Sequence, residues 1–217
     1  MCGFAAKLGV YVIFGMPERE PAGRHIYNSA VLVGPEGIIG RYRKLHLSPV
    51  TPFWTERYCF TPGLEIPVFP TRFGPVGIVI CYDFWCFPEV ARLMMFKGAR
   101  VIFNCTAARV GPGLDDLMTW GNACRGAESL VYTASANLAG RDRTQEFCGM
   151  SNISGPLPPA IVHVHARGDA GEGIVTARLD FEELHKIWKR GGPKQHLQAG
   201  LVAAEYAKLA GKPKKEK

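Results

Sequence analysis

Apolar residues along this chain come in short runs separated by Gly- and Pro-rich breaks, the pattern of strands and turns more than of long helices. Residues 10–15 (Val-Tyr-Val-Ile-Phe-Gly) form a β-branched and aromatic run that predicts a buried strand, broken by Pro17-Glu18-Arg19-Glu20-Pro21. Residues 25–33 predict the next strand, Gly34-Pro35-Glu36-Gly37 a turn, and residues 38–44 a returning strand, a β-hairpin with Lys44 at its far end. Residues 48–66 hold three Pro and no clear period, which predicts a long loop of the kind that often carries function. Residues 67–71 and 76–81, joined by Arg72-Phe73-Gly74-Pro75, predict a second hairpin. Its second strand, Val-Gly-Ile-Val-Ile-Cys, is apolar on both faces and so buried on both sides.

A helix follows, with Pro88 suited to its first turn, Glu89 to its positive end and Gly98 to its close. Residues 100–104 predict a strand. Residues 114–128 predict a helix with Leu117, Gly121, Cys124 and Glu128 along one face, and residues 130–136 a further strand. Residues 149–154 and 161–165 predict a hairpin around Gly155-Pro156-Leu157-Pro158-Pro159, residues 173–179 a strand and residues 181–190 a helix. Strands and helices alternate in the middle and hairpins fill the two ends. The class is α/β, with a mixed sheet or two packed sheets. No composition shift marks a boundary before residue 191. One domain is expected over 1–190, followed over 191–217 by a partly helical extension with a basic tail.

Composition narrows the partners. At 217 residues, 47% of them hydrophobic, the chain can bury a core without disulfides or metals, and disorder, collagen and coiled coil are excluded for most of it. Its apolar runs fall far short of the roughly 18 residues a membrane helix needs, and Met1-Cys2-Gly3-Phe4 does not open a secretory leader. The net charge is +7, and the tail contributes Lys208, Lys212, Lys214, Lys215 and Lys217 against Glu216. A solvated tail accounts for this, a weak contact with an anionic surface being the other reading, and no motif points to nucleic acid. Seven Cys, at 2, 59, 81, 86, 105, 124 and 148, are odd in number and lack Cys-x-x-Cys spacing, which suits reduced thiols in the cytoplasm. His163 and His165 share a strand face, and are read as a solvated or hydrogen-bonded pair. No metal or organic cofactor is expected.

Cys81 carries the candidate chemistry. It sits where a buried strand ends and a helix is about to begin, a turn that presents a thiol beside free backbone N–H groups and the positive end of a helix. Position alone would also suit a small buried hydrophobe. The surrounding residues decide. Gly77-Ile78-Val79-Ile80-Cys81-Tyr82-Asp83 and Phe87-Pro88-Glu89-Val90-Ala91-Arg92 resemble the nucleophile segment of the nitrilase superfamily, carbon–nitrogen hydrolases with a Glu-Lys-Cys triad. Gly40-Arg41-Tyr42-Arg43-Lys44-Leu45-His46-Leu47 resembles the stretch that carries the catalytic lysine. Gly15-Met16-Pro17-Glu18-Arg19, Tyr27-Asn28-Ser29-Ala30, Phe60-Thr61-Pro62-Gly63, Arg125-Gly126-Ala127-Glu128, Ala136-Asn137 and Phe147-Cys148-Gly149-Met150-Ser151 match in the family's order, across about residues 8–190.

The resemblance implies an αββα sandwich of two mixed sheets flanked by helices, lacking its first strand and helix, and a homodimer or larger homo-oligomer. It implies an amidase- or carbamoylase-like activity on a small amide. Cys81 would attack as thiolate and pass through a thioester, while Lys44 and the backbone N–H of Tyr82 hold the oxyanion. Glu56 resembles a second carboxylate that many members place near the lysine and cysteine, and equally suits a surface loop. Phe84 and Trp85 suit a substrate-pocket wall or the core. The family's general-base glutamate lies on an N-terminal strand ahead of the match to residues 10–15. It is expected to be absent from these 217 residues, and neither Glu18 nor Glu20 is expected to replace it. Three residues, Phe84, Trp85 and Cys86, separate Asp83 from Phe87-Pro88-Glu89 where members usually have two. Two other readings are a non-catalytic member acting as a binding or assembly subunit, and a thiol redox or metal protein using Cys81, Cys86 and Cys105.

Overall fold

A computed structural model describes residues 1–21, 23–49 and 56–210. The lysines at 212, 214, 215 and 217 and most of the central part of the predicted 48–66 loop lie outside the described residues.

The chain opens with helix α1 (Cys2–Leu8), which the periodicity did not reveal. It ends at Gly9, whose φ of 64° is the left-handed closure that glycine favours. An antiparallel meander follows: β1 (Val12–Arg19), β2 (Ile26–Gly34) and β3 (Gly37–Arg43), in the order β1-β2-β3. The expected break at Pro17 does not occur. β1 is the edge strand of its sheet, so a residue without an N–H can stand opposite Asn28 and cost no ladder bond on the outer side.

After the short helix α2 (Glu56–Cys59) come β4 (Val68–Phe69) and β5 (Val76–Ile80), then helices α3 (Tyr82–Cys86) and α4 (Pro88–Phe96), and β6 (Val101–Thr106). The next helical stretch is three pieces. α5 (Leu114–Asp116) and α6 (Asn122–Ser129) flank a π-helical turn at Leu117–Gly121, so the predicted single α-helix is widened in its middle. Its buried face carries Met118, Thr119, Asn122, Arg125 and Ser129. Strands β7 (Tyr132–Asn137), β8 (Ala139–Arg141), β9 (Glu146–Cys148), β10 (Asn152–Leu157) and β11 (Ala160–Arg167) follow, then α7 (Phe181–Gly191), α8 (Pro193–His196) and α9 (Ala199–Ala210). Residues 173–179 form no strand. They alternate between exposed and half-buried positions without a ladder partner, a period of two that arises from an extended segment lying on the surface.

The second sheet has six strands in the order β11-β10-β7-β6-β5-β4. Its centre, β5-β6-β7, is parallel and the rest antiparallel, so of the two expected mixed sheets only this one is mixed. β5 is buried at all five positions, as its unbroken apolar pattern predicts. The sheets meet where β2 and β3 pack on β5, around Leu32, Tyr42, Ile78 and Ile102. Helix α1 packs on β2 and β3, while α4 and α6 pack on the six-stranded sheet.

Strand periodicity sorts the first sheet into two faces. Asn28, Ala30, Leu32, Tyr42 and then Lys44 follow the inner face. Glu18, Tyr27, Ser29, Arg41 and Arg43 follow the outer face, where Ser29 and both arginines bond Glu18. Gly63 holds the end of this hairpin, donating its N–H to Lys44 O at 2.8 Å. A Cβ on Gly63 would run into the carbonyl of Arg43. Gly63→Ala is therefore expected to destabilise the protein by about 1–3 kcal/mol through overpacking against backbone. Urea unfolding measures this, and an unchanged midpoint would show that the close approach is not needed.

Candidate active site

Cys81 follows β5 directly, with φ 49° and ψ −103°, a conformation L-residues rarely adopt. Such a residue stores of order 1–3 kcal/mol and persists only where its surroundings over-determine it. They do so here. Its N–H is shared between Asn104 Oδ1 at 2.8 Å and Cys105 O at 3.0 Å, and its carbonyl accepts from the N–H groups of Phe84 (2.8 Å) and Trp85 (3.1 Å). The far end of α3 is held as well. Arg125, 8% exposed, donates Nε to Phe84 O at 3.0 Å and Nη2 to Trp85 O at 3.1 Å. Asn104 is itself fixed by a chain of buried polar groups, donating to Ser135 Oγ at 3.0 Å, which donates to Asn122 Oδ1 at 2.8 Å.

Lys44 comes from the other sheet. It is 2% exposed, and a buried ammonium needs a partner. Glu56, on the first turn of α2, supplies it: Nζ lies 2.7 Å from Oε1 and 2.8 Å from Oε2. Oε1 also accepts from Asn28 Nδ2 at 2.9 Å and Oε2 from the Ser48 N–H at 2.5 Å. A carboxylate has about four acceptor directions, and all four are taken.

Asp83 joins the two halves. It is wholly buried, two residues past Cys81, and reaches across to the chain on both sides of Lys44. Oδ2 accepts from the Tyr42 hydroxyl at 2.6 Å and the Leu45 N–H at 2.9 Å; Oδ1 accepts from the His46 N–H and from His46 Nδ1, each at 2.8 Å. Because Asp83 only accepts, His46 carries its proton on Nδ1. Burial, reinforced by the charge on Asp83, raises the Tyr42 hydroxyl far above its usual range, so it stays a donor.

A cavity of about 620 Å³ opens at the carboxyl ends of β5, β6 and β7. Cys81, Lys44 and Glu56 all line it, with Ile13, Phe14, Asn28, Thr106, Arg109, Asn137 and Phe147. The volume suits a small ligand, and the ends of parallel strands are where α/β sheets bind theirs. Cys105 lines it too, but burial pushes its thiol up to about 11, so it stays protonated near neutral pH. Phe84 and Trp85 are not among its lining residues. Phe84 is wholly buried in the main core, and Trp85 packs against both core clusters with its Nε1 3.4 Å from Thr106 Oγ1. Both belong to α3, and a run of aromatics after Cys81 does not reveal which way each side chain of a helix turns. Tyr82 begins α3, where backbone N–H groups have no partner within the helix. Phe84, Trp85 and Cys86, the three residues before Phe87, all lie in α3, and Cys86 is exposed. Glu18 is on the outer face and away from the cavity, its carboxyl held below the usual range by Arg43 first, with Ser29 and Arg41. Asp83 and Arg125 lie within the matched motifs, which assign them no role, and Asn104 and Arg109 lie in none. Among the described residues, no three His, Cys, Asp or Glu side chains meet to hold a metal, and no helix is long and apolar enough to cross a membrane.

Asp83→Asn would oppose an amide to the four donors and is expected to cost at least about 2–3 kcal/mol, whereas Tyr42→Phe removes one donor and costs about 1 kcal/mol. Equal losses in urea unfolding would argue against Asp83 as the clamp between the sheets.

A carbon–nitrogen hydrolase family model matches residues 1–188. A nitrilase from Pyrococcus abyssi is 42% identical over 82% of this chain and 62% of its own length, and an N-carbamoylputrescine amidase from Solanum lycopersicum is 32% identical over 85% and 64%. The chain thus spans less than two thirds of the length of these curated relatives. The crystal structure of Saccharomyces cerevisiae Nit3, a member of branch 10 of the nitrilase superfamily, superposes with a TM-score of 0.74 at 26% identity, covering 88% of this chain and 67% of that one.

Proposed function

This chain belongs to the carbon–nitrogen hydrolase family, and from that membership we propose that its cavity is an amidase-type site that cleaves a carboxamide or carbamoyl C–N bond through a thioester on Cys81. The observation that carries the proposal is the convergence of Cys81, Lys44 and Glu56, from three separate stretches of chain, on one cavity. Sγ of Cys81 attacks the amide carbon, the C–N bond breaks as ammonia or an amine leaves with a proton, and water then cleaves the thioester to give the acid and the free thiol. Lys44 has three N–H donors. Two face Glu56, and the third is assigned to the oxyanion beside the N–H of Tyr82. Glu56 holds Lys44 in place; with every acceptor direction occupied it is not assigned as the general base. No other described lining residue is a carboxylate. The described lining thus offers no carboxylate for the general base, a role worth about 10²-fold or more.

The test is ammonia release from a panel of small amides, with and without added formate as an external base. Slow turnover that formate raises and that Cys81→Ala abolishes is expected, with Lys44→Gln lowering it by about 10²–10³-fold. No turnover from folded protein under either condition would overturn the proposal in favour of a non-catalytic binding or assembly subunit.

A further inference from the structure

Cys81 stands at one end of a buried chain of hydrogen bonds that crosses the face of the six-stranded sheet covered by α6. Its N–H donates to Asn104 Oδ1 at 2.8 Å, and Asn104 Nδ2 donates to Ser135 Oγ at 3.0 Å. The Ser135 hydroxyl donates to Asn122 Oδ1 at 2.8 Å, and Asn122 Nδ2 donates to Asn152 Oδ1 at 2.5 Å. Asn152 Nδ2 then donates to the carbonyl of Met118, inside the π-helical turn, at 2.5 Å, with Met150 O a second acceptor at 3.3 Å. The register of the sheet brings these groups together, since Ser135 pairs with Asn104 on one side and with Asn152 on the other. Asn122 is 0% exposed, Asn104 and Asn152 1% and Ser135 3%, so bulk water cannot stand in for a missing partner. Resting on the assignment of Cys81 as the nucleophile, we propose that Ser135, Asn122 and Asn152 are positioning residues for it. Acting through Asn104, they hold the backbone of Cys81 in the conformation that presents its thiol to the cavity.

The argument rests on polarity. A side-chain amide can be turned over and a hydroxyl rotated, so each of the four middle members could donate either way. The two ends cannot: a backbone N–H only donates and a backbone carbonyl only accepts. Cys81 at one end and Met118 at the other therefore set a single direction of donation through every group between them. Ser154 Oγ, donating to the same Asn152 oxygen at 3.1 Å, fixes that amide further. If Asn104 turned over, its Nδ2 would face the Cys81 N–H, donor against donor. A buried donor left unpaired costs about as much as a left-handed backbone stores, so the orientation of Asn104 decides whether φ 49° at Cys81 is held. The Cys81 N–H also reaches Cys105 O at 3.0 Å, but Asn104 Oδ1 is the nearer acceptor. The π-helical turn supplies the far anchor, and turns of that kind are frequent at functional sites.

Alkylation by iodoacetamide, which forms one S–C bond with loss of iodide, reads how often the Cys81 thiol is presented and needs neither turnover nor a general base. Rates are read by peptide mass spectrometry, with exposed Cys2 in the same samples as the reference. Ser135→Ala cuts the chain in its middle and is expected to slow Cys81 by about 3- to 10-fold, the range that one buried hydrogen bond supports. Ser135→Thr keeps the hydroxyl and is expected to restore the rate. Asn152→Leu removes the last donor, on another strand, and is expected to act in the same direction as Ser135→Ala. Thr133→Val is the control. It removes a buried hydroxyl from the same strand and face, but one that bonds the backbone carbonyls of Asn122 and Ser154, outside the chain. It is expected to lower the melting temperature comparably and to leave the Cys81 rate unchanged. A rate that Ser135→Ala does not lower in folded protein, or lowers no more than Thr133→Val, would overturn the proposal.

Hydrogen exchange on the unmodified protein needs no variant: slow exchange is expected at the Cys81 amide, and fast exchange there would overturn the proposal by itself. A further arm uses an amide that the protein hydrolyses, for which Ser135→Ala is expected to lower kcat and leave KM unchanged. Full turnover by folded Ser135→Ala would sink the positioning role and leave the hydrolase reading standing. Alkylation that depends on Ser135 in a protein that hydrolyses no amide would do the reverse.

Discussion

The buried carboxylate of Asp83 is the constraint on which the site depends. Cys81 belongs to the six-stranded sheet and Lys44 to the end of the three-stranded one, and hydrophobic packing between sheets sets such a distance only loosely, because it is non-directional. Asp83 replaces that looseness with four directed bonds, all to residues 42, 45 and 46, which bracket Lys44. A buried carboxylate is tolerable only when its acceptor directions are filled, so the register between α3 and the end of β3 is a condition of folding. The side-chain bond of Arg125 to Glu128 and its grip on the carbonyls of α3 hold the other side of the same short helix. The strained backbone of Cys81 is thus fixed from three directions, by Asn104, Asp83 and Arg125.

That arrangement explains what the sequence made legible. Cys81 and Lys44 could be singled out because each sits in a motif, and Glu56 because it follows Lys44 in the long loop; the fold brings all three to one cavity. The three hairpins, the doubly buried β5 and the helix at 181–191 could be found because a hydrophobic period, a turn or a cap marks them. Asp180, for example, caps α7 by accepting from the N–H groups of Glu182 and Glu183.

What stayed hidden depends on tertiary partners. Asp83 and Asn104 look like ordinary polar residues until the donors that surround them are known. Pro17 reads as a break unless β1 is known to be an edge. Residues 173–179 have strand composition, yet no ladder forms beside them. Phe84 and Trp85 suit a pocket wall or the core equally when read from their closeness to Cys81 along the chain. In a helix, the direction of a side chain changes by about 100° per residue, so neighbours in sequence face apart. The π-helical turn at 117–121 has no sequence signal comparable to a cap; it sits where Gly121 passes close to the Trp85 ring.

Glu56 and Asp83 are built alike, and the likeness bears on mechanism. Each carboxylate accepts four bonds and each fixes one group that lines the cavity, Glu56 the ammonium of Lys44 and Asp83 the turn that carries Cys81. A carboxylate used in this way is spent as a base, since a lone pair that already accepts a hydrogen bond is not open to a thiol proton. On the proposed mechanism, holding Cys81 and anchoring Lys44 thus require carboxylates distinct from the one that moves the proton. The two roles also place opposite demands on burial: an anchor gains from a site where every direction is filled, while a base must keep one direction facing the cavity. The separation of Glu56 from proton transfer follows from that geometry, whichever group takes the proton.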